Sequence, residues 1–215
     1  MAEKKYYYSV GRAKTDPVRV AQIKIKRSVF TCSLAFAASI EEAKIFITKI
    51  SKENKIATHN CWAYIVGEKG EIFHSSDSGE PAGTAGKPML NALLSHDMAC
   101  VAAVVTRQFG GVKLGIRGLI QAYSESVTTA IQLKPLVKLV KTLVIQVTIS
   151  YGLNEIFLSQ LSGFRAIVQS SDYGENIIHD IQVEEEDMQG LEKLLSEYQC
   201  QGKLKYHVLL NGEKY

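Results

Sequence analysis

The sequence predicts an α+β protein folded as two domains, and three observations carry that prediction. A chain of 215 residues suits one large or two small domains, at roughly 100–200 residues per domain. Charge divides unevenly: residues 1–137 hold 18 Lys and Arg against 11 Asp and Glu, while residues 138–215 hold 7 against 11. The first part is therefore basic, at +7, and the second acidic, at −4. Between them Lys134-Pro135 interrupts a helical pattern, which places a domain boundary near Val137 and gives domains 1–137 and 138–215.

In the first domain, residues 5–36 are rich in valine, isoleucine and tyrosine and alternate with strand period, as in V-R-V-A-Q-I-K-I-K. Ser39 followed three residues later by Glu42 forms a capping box. The helix it opens runs to about Glu53, with Ala43, Phe46, Ile47 and Ile50 on one face. Residues 61–66 and 71–74 read as strands joined by the hairpin turn G-E-K-G. A helix is expected from Pro88 to about Leu94, since proline in a first turn sacrifices no intrahelical bond. The continuous apolar run 99–106 reads as a buried central strand. A further helix follows over 119–132, with Leu119, Ala122, Tyr123, Val127 and Ala130 on one face.

The second domain has a simpler order. Residues 140–149 read as a strand, 153–161 as a helix, and 165–170 with 177–183 as strands paired across D-Y-G-E-N. A helix over 187–198 and a strand over 204–210 complete it. That order, β-α-β-β-α-β, is the ferredoxin-like arrangement. The acidic run 184–187 precedes the last helix, where negative charge favours the helix N-terminus.

Composition narrows the class of protein. At 46% hydrophobic and 22% charged residues the chain has an ordinary globular balance. No apolar run reaches the roughly 20 residues that cross a bilayer, and the start M-A-E-K-K-Y-Y-Y lacks the apolar core of a secretory signal. Cys32, Cys61, Cys100 and Cys200 are scattered singly, with no C-x-x-C pair. They read as reduced thiols of a cytoplasmic protein, with neither a zinc site nor a redox pair. His74, His96, His179 and His207 show no metal spacing and read as surface or strand residues. No membrane contact, metal or cofactor is expected.

Two glycine-rich passages, residues 77–88 (D-S-G-E-P-A-G-T-A-G-K-P) and 109–118 (F-G-G-V-K-L-G-I-R-G), each open a helix. A helix start leaves N–H groups unpaired and carries partial positive charge. Glycines there let an anion approach the backbone. Gly83, Thr84, Gly86 and Lys87 in the first passage, with Arg107, Gly110, Gly111, Lys113, Gly115 and Arg117 around the second, are the candidate anion- or nucleic-acid-binding residues. The alternative is that the glycines only make tight turns beneath packed helices. The first passage is not a Walker A loop: Pro81 stands in place of its first glycine and Pro88 in place of its magnesium-binding hydroxyl. The second is not a dinucleotide fingerprint, because no G-x-G-x-x-G opens a βαβ unit.

His59, Asp77 and Glu80 form a candidate polar site. His59 and Cys61 share a strand face only if the strand begins there, and a nucleophile pair would also need an orienting group and an oxyanion site. Cys61 is read as core and His59 as a hydrogen-bonded strand-end residue. Asp77 and Glu80 could act as acid and base or hold a metal. Beside Ser75, Ser76 and Ser78, capping of nearby N–H groups is the commoner role for such acids. No catalytic residue is assigned.

The segments A-T-H-N-C-W-A-Y (57–64), S-D-S-G-E-P-A-G-T-A-G-K-P-M-L (76–90) and V-V-T-R-Q-F-G-G-V-K-L-G-I-R-G-L-I-Q-A-Y (104–123) resemble the YigZ/IMPACT family. T-I-S-Y-G-L and D-Y-G-E-N are similar to the second domain of its bacterial members. The resemblance implies an N-terminal α/β sandwich like the second domain of a small-subunit ribosomal protein. It also implies a ferredoxin-like C-terminal domain like one in elongation factor G. Eukaryotic relatives regulate translation by binding a large activator of an initiation-factor kinase. This chain departs from the family at Gln108, where tyrosine is usual, and at Ile116-Arg117, where a small pair is usual. Losing the aromatic weakens base stacking there; Arg117 adds positive charge. The implied function is a non-enzymatic, translation-associated regulator that binds RNA or the ribosome, or a protein partner, through a basic glycine-loop cleft. The alternative is an enzyme or binder for a phosphorylated or carboxylated small molecule, with Asp77 or Glu80 as base and Lys87 and Arg107 as the anion clamp. The oligomeric state is left open.

Overall fold

The computed structural model describes residues 7–67 and 70–209. The chain divides into two units between Leu139 and Val140. The boundary expected near Val137 falls slightly later because the strand Val137–Leu139 pairs back on Tyr7–Ser9.

The first unit runs β1 (Tyr7–Ser9), β2 (Arg19–Ile25), β3 (Ser28–Phe36), α1 (Ile40–Glu53), β4 (His59–Val66), β5 (Ile72–Ser76), α2 (Gly86–Ser95), β6 (Val101–Gln108), α3 (Gly115–Gln132) and β7 (Val137–Leu139). β2 to β6 form one antiparallel sheet in the order β2-β3-β6-β4-β5. The apolar run expected to be central is so: β6 lies between β3 and β4 and is buried from Val101 to Arg107. Side chains alternate across its two faces. Ala102 and Val104 pack under α1 with Tyr64 and Ile47. Ala103 and Val105 pack with Phe30, Met89 and Tyr123 beneath α2 and α3.

The helix starts show what local sequence can specify. Ser39 Oγ accepts the Glu42 N–H at 3.3 Å, and the Glu42 carboxylate accepts the Ala38 N–H at 2.9 Å. This is the expected capping box, with its return arm displaced one residue outward. α2 begins at Gly86, two positions before Pro88, and α3 at Gly115 rather than Leu119. Ile116 and Arg117 therefore belong to the first turn of α3, not to a loop. The hairpin turn G-E-K-G falls partly outside the described residues, at Glu68 and Lys69, as does Leu210 of the last expected strand.

One arginine occupies an inward-facing position of its strand, in phase with Ala21, Ile23 and Ile25. Arg19 is buried while Val20 beside it is 55% exposed. Its guanidinium donates to the carbonyls of Val10, Ile131, Lys134 and Pro135 at 2.7–3.1 Å. Acceptors at and just beyond the C-terminal end of α3 compensate the desolvated charge.

The second unit runs β8 (Thr142–Ile149), α4 (Tyr151–Leu161), β9 (Ala166–Tyr173), β10 (Ile177–Glu184), α5 (Glu185–Cys200) and β11 (Leu204–Leu209). Its antiparallel sheet has the order β11-β8-β10-β9, the ferredoxin-like topology expected from the element order. Ile145, Val147, Ile181 and Val183 pack against Phe157, Leu191 and Leu195. The residues between them on the strands form a polar ladder, with Gln146 and Ser170 both donating to Asp180. The acidic run, expected to precede the last helix, instead forms the N-cap and first turn of α5. Glu184, Glu186 and Asp187 all pair with Arg165 at 2.9–3.0 Å. His179 lies on a strand, as read, and it is buried: Nδ1 accepts from Ser171 Oγ and Nε2–H donates to Asn154 Oδ1, each at 2.7 Å.

Candidate functional site

The first glycine passage begins where β5 ends, and Asp77 organises it. Its Oδ2 accepts the Gly83 N–H at 2.8 Å, and its Oδ1 accepts those of Ala85 and Gly86 at 2.9 and 2.8 Å. Burial by itself would raise the carboxyl pKa; the three N–H donors outweigh it and hold Asp77 below the usual carboxylate range. The N-terminus of α2 is thus filled by the protein's own carboxylate. Gly83 and Gly86 donate inward rather than to an external anion. Gly86 serves packing, since a Cβ there would stand 2.7 Å from the backbone of Ser76. Thr84 is buried and donates to the Pro81 carbonyl at 2.7 Å. Lys87 is exposed on α2.

Glu80 points the other way, into a buried network. Its Oε1 accepts from Arg107 Nη1 at 2.6 Å and from Tyr123 Oη at 2.8 Å. Arg107 also lies 3.4 Å from Ser28 Oγ, and its guanidinium sits between the Phe30 and Phe109 rings, 5.4 and 5.3 Å from their centroids. Its Nε is buried and, among the described residues, has no hydrogen-bond partner. The Cys61 thiol lies 2.9 Å from the Asp77 carbonyl oxygen and 3.4 Å from Tyr123 Oη. Burial pushes that thiol up to about 12, so it is no thiolate at neutral pH.

β4 does begin at His59, so His59 and Cys61 share a face. The imidazole, however, turns to the loop: Nδ1 lies 3.1 Å from the Ser78 carbonyl oxygen. A carbonyl only accepts, so Nδ1–H is the donor in this contact.

The second passage contrasts with the first. Gly110 is structural, because a Cβ there would overlap the Arg27 backbone at 1.8 Å. At Gly111 and Gly115 a Cβ would meet nothing within 4 Å. No side chain caps the N-terminus of α3, and its first turn holds no acid. One helix start is occupied; the other is open.

The two passages meet at a cleft of about 440 Å³. Glu80 and Pro81 line it from the first, Phe109, Lys113, Leu114, Gly115 and Ile116 from the second, and His59 and Arg107 from the strand ends. Of the residues expected to bind an anion, Arg107, Lys113 and Gly115 line this cleft. Gly83, Thr84, Gly86, Lys87, Gly110, Gly111 and Arg117 do not. Asp77 acts from behind, through the loop it closes. Sequence reading missed Tyr123 and Ser28: Tyr123 looked like one more apolar residue on a helix face, and only its hydroxyl hinted at a buried partner.

The arrangement suits anion binding better than bond-breaking. Both oxygens of Asp77 are engaged, and Glu80 is held by Arg107 and Tyr123. Among the described residues no group of three His, Cys, Asp or Glu stands close enough to hold a metal. No helix among them is long and apolar enough to cross a membrane.

Comparison with known proteins places this geometry. The Impact N-terminal domain model matches residues 26–131. IMPACT family member YvyE of Bacillus subtilis (strain 168) is 36% identical over 176 residues, covering 82% of this chain and 81% of the relative. The chain belongs to the IMPACT family. An IMPACT family member of Haemophilus influenzae is 33% identical over 197 residues, 90% of this chain and 95% of its own. A crystal structure solved as that of a hypothetical protein matches with a TM-score of 0.62 at 26% identity, covering 98% of this chain and all of that one. The IMPACT domain match holds every residue of the buried network, from Ser28 through Tyr123, and every residue lining the cleft.

Proposed function

We propose that this IMPACT family protein is a non-enzymatic, translation-associated regulator of the cytoplasm that binds RNA or the ribosome through the cleft of its first unit. The observation that carries the reading is the uncapped N-terminus of α3 beside Lys113 in the cleft, whereas the start of α2 is capped by Asp77 and lies outside it. Backbone N–H groups and a lysine together favour phosphate oxygens. The excess positive charge of residues 1–137 would draw a polyanion toward it. The association with translation rests on the family resemblance. A protein partner is the second reading, favoured by Ile116 and Phe109, which are 65% and 44% exposed at the cleft rim.

Filter binding with ribosomal RNA at low and raised salt tests the proposal. Affinity is expected to fall steeply with salt, and Lys113→Glu with Arg117→Glu to weaken binding and to flatten the salt slope by about one to two units. Absence of binding, or equal binding by the charge-reversed protein, would overturn it.

A further inference from the structure

The cleft also indicates which phosphate it takes. This inference rests on the cleft being the binding site, as proposed above, and goes on to the form of its ligand. We infer that the cleft receives a terminal phosphomonoester, the end of an RNA chain or a free nucleotide, rather than the internal phosphodiesters of a polynucleotide.

Three donor groups line one cleft of about 440 Å³, and they differ in kind. Gly115 and Ile116 bring the open N-terminus of an 18-residue helix. Lys113 is an exposed ammonium on the loop before it. His59 also lines the cleft, with its Nδ1 3.1 Å from the Ser78 carbonyl oxygen. Arg107, 5% exposed, holds a buried Nε–H that no described residue accepts. A buried donor left unpaired costs about 1–3 kcal/mol. The half-exposed Phe109 ring lies over that guanidinium.

Such a set, with the Lys113 ammonium beside the positive end of α3, favours the more highly charged phosphate. A diester offers two non-bridging oxygens and one negative charge. A monoester offers three oxygens and up to two charges. Glu80 is the one carboxylate lining the cleft, and its pairing with Arg107 and Tyr123 offsets its repulsion of an anion. Phe109, Pro81, Leu114, Ile116 and Leu119 form apolar walls beside the donors. Those walls fit the base and sugar of one nucleotide, with the exposed Phe109 ring as a stacking surface.

Fluorescence anisotropy with a labelled ten-residue oligoribonucleotide tests this. It would be prepared with a 5′-phosphate, with a 3′-phosphate, with hydroxyls at both ends, and as a closed circle, and AMP and adenosine would serve as competitors. An end-phosphorylated form binding at least about tenfold more tightly than the hydroxyl-ended form, displaced by AMP and not by adenosine, supports the inference with RNA ends as the source. Binding of AMP without binding of any oligomer supports it with a free nucleotide as the source, and tells against the RNA reading. Equal binding of phosphorylated, hydroxyl-ended and circular RNA overturns the inference and leaves the RNA reading standing. No binding of RNA or AMP overturns both. Lys113→Gln, on an exposed loop side chain that leaves the core intact, should remove the preference for the phosphorylated end. Retention of the full preference in that variant would overturn the assignment to this cleft.

Discussion

Arg107 Nη1 donates to Glu80 Oε1 at 2.6 Å, and the two side chains are 6% and 3% exposed. Desolvating both charges is costly, and each compensates the other only while both are present. Glu80→Ala should therefore destabilise the first unit by about 3–5 kcal/mol, because it strands a buried guanidinium. Pairing it with Arg107→Met should recover much of that loss. Urea unfolding followed by the fluorescence of Trp62, the single tryptophan, measures both. A double variant no more stable than Glu80→Ala would show that the ion pair is not the source of the effect.

Asp77 should behave as a cap. Removing an acceptor of three N–H groups at a helix start, as in Asp77→Ala, should cost about 2 kcal/mol. Because the native carboxyl pKa is depressed by those donors, the contribution is present above the unfolded-state pKa near 3.9 and is lost as pH falls through the native value. The stability gap between wild type and variant is expected to close on acidification from pH 6 to pH 2.5. A pH-independent gap in thermal melts would contradict the capping role.

The thiols give a chemical check on the site. Cys32 and Cys61 are buried and both pushed up to about 12 by desolvation, whereas Cys200 is exposed. Iodoacetamide at pH 7.5 should alkylate Cys200 readily and leave Cys61 unmodified until the protein is denatured. Peptide mapping by mass spectrometry reads this directly. Rapid labelling of Cys61 would mean that the network around Tyr123 is open in solution.

His179 should make the second unit sensitive to mild acid. Burial lowers its pKa in the folded protein, and its neutral ring already satisfies Ser171 and Asn154. A group held neutral by the fold contributes stability above its unfolded pKa of about 6.5, and that contribution is lost as pH falls below it. Hydrogen exchange in β10 should accelerate between pH 7.5 and pH 5.5, after correction for the intrinsic rate, and His179→Gln should abolish the extra acceleration. Identical profiles for the two proteins would exclude the histidine as the cause.

By itself the sequence determined most of the elements and the order in which they occur, but neither the division of residues 5–36 into three strands nor the short strand β7. The 3.6-residue spacing of Ala43, Ile47 and Ile50, the Ser39–Glu42 box and the valine-rich run into β6 are local signals, each set by groups a few residues apart. The β-α-β-β-α-β order of the second unit was readable for the same reason. So was the capping role weighed for Asp77, whose partners Gly83, Ala85 and Gly86 lie within nine positions of it. What tertiary structure alone decided is the wiring between distant positions. Glu80 meets Arg107 27 residues away and Tyr123 43 away, and no periodicity encodes such a pairing. That a charged Arg19 can hold an inward position of β2 depends on carbonyls more than a hundred residues distant. Both glycine-rich passages look in sequence like open anion cradles. Folding separates them, because the carboxylate that fills the first helix start comes from its own loop, while the second has no side chain to close it and opens onto the cleft.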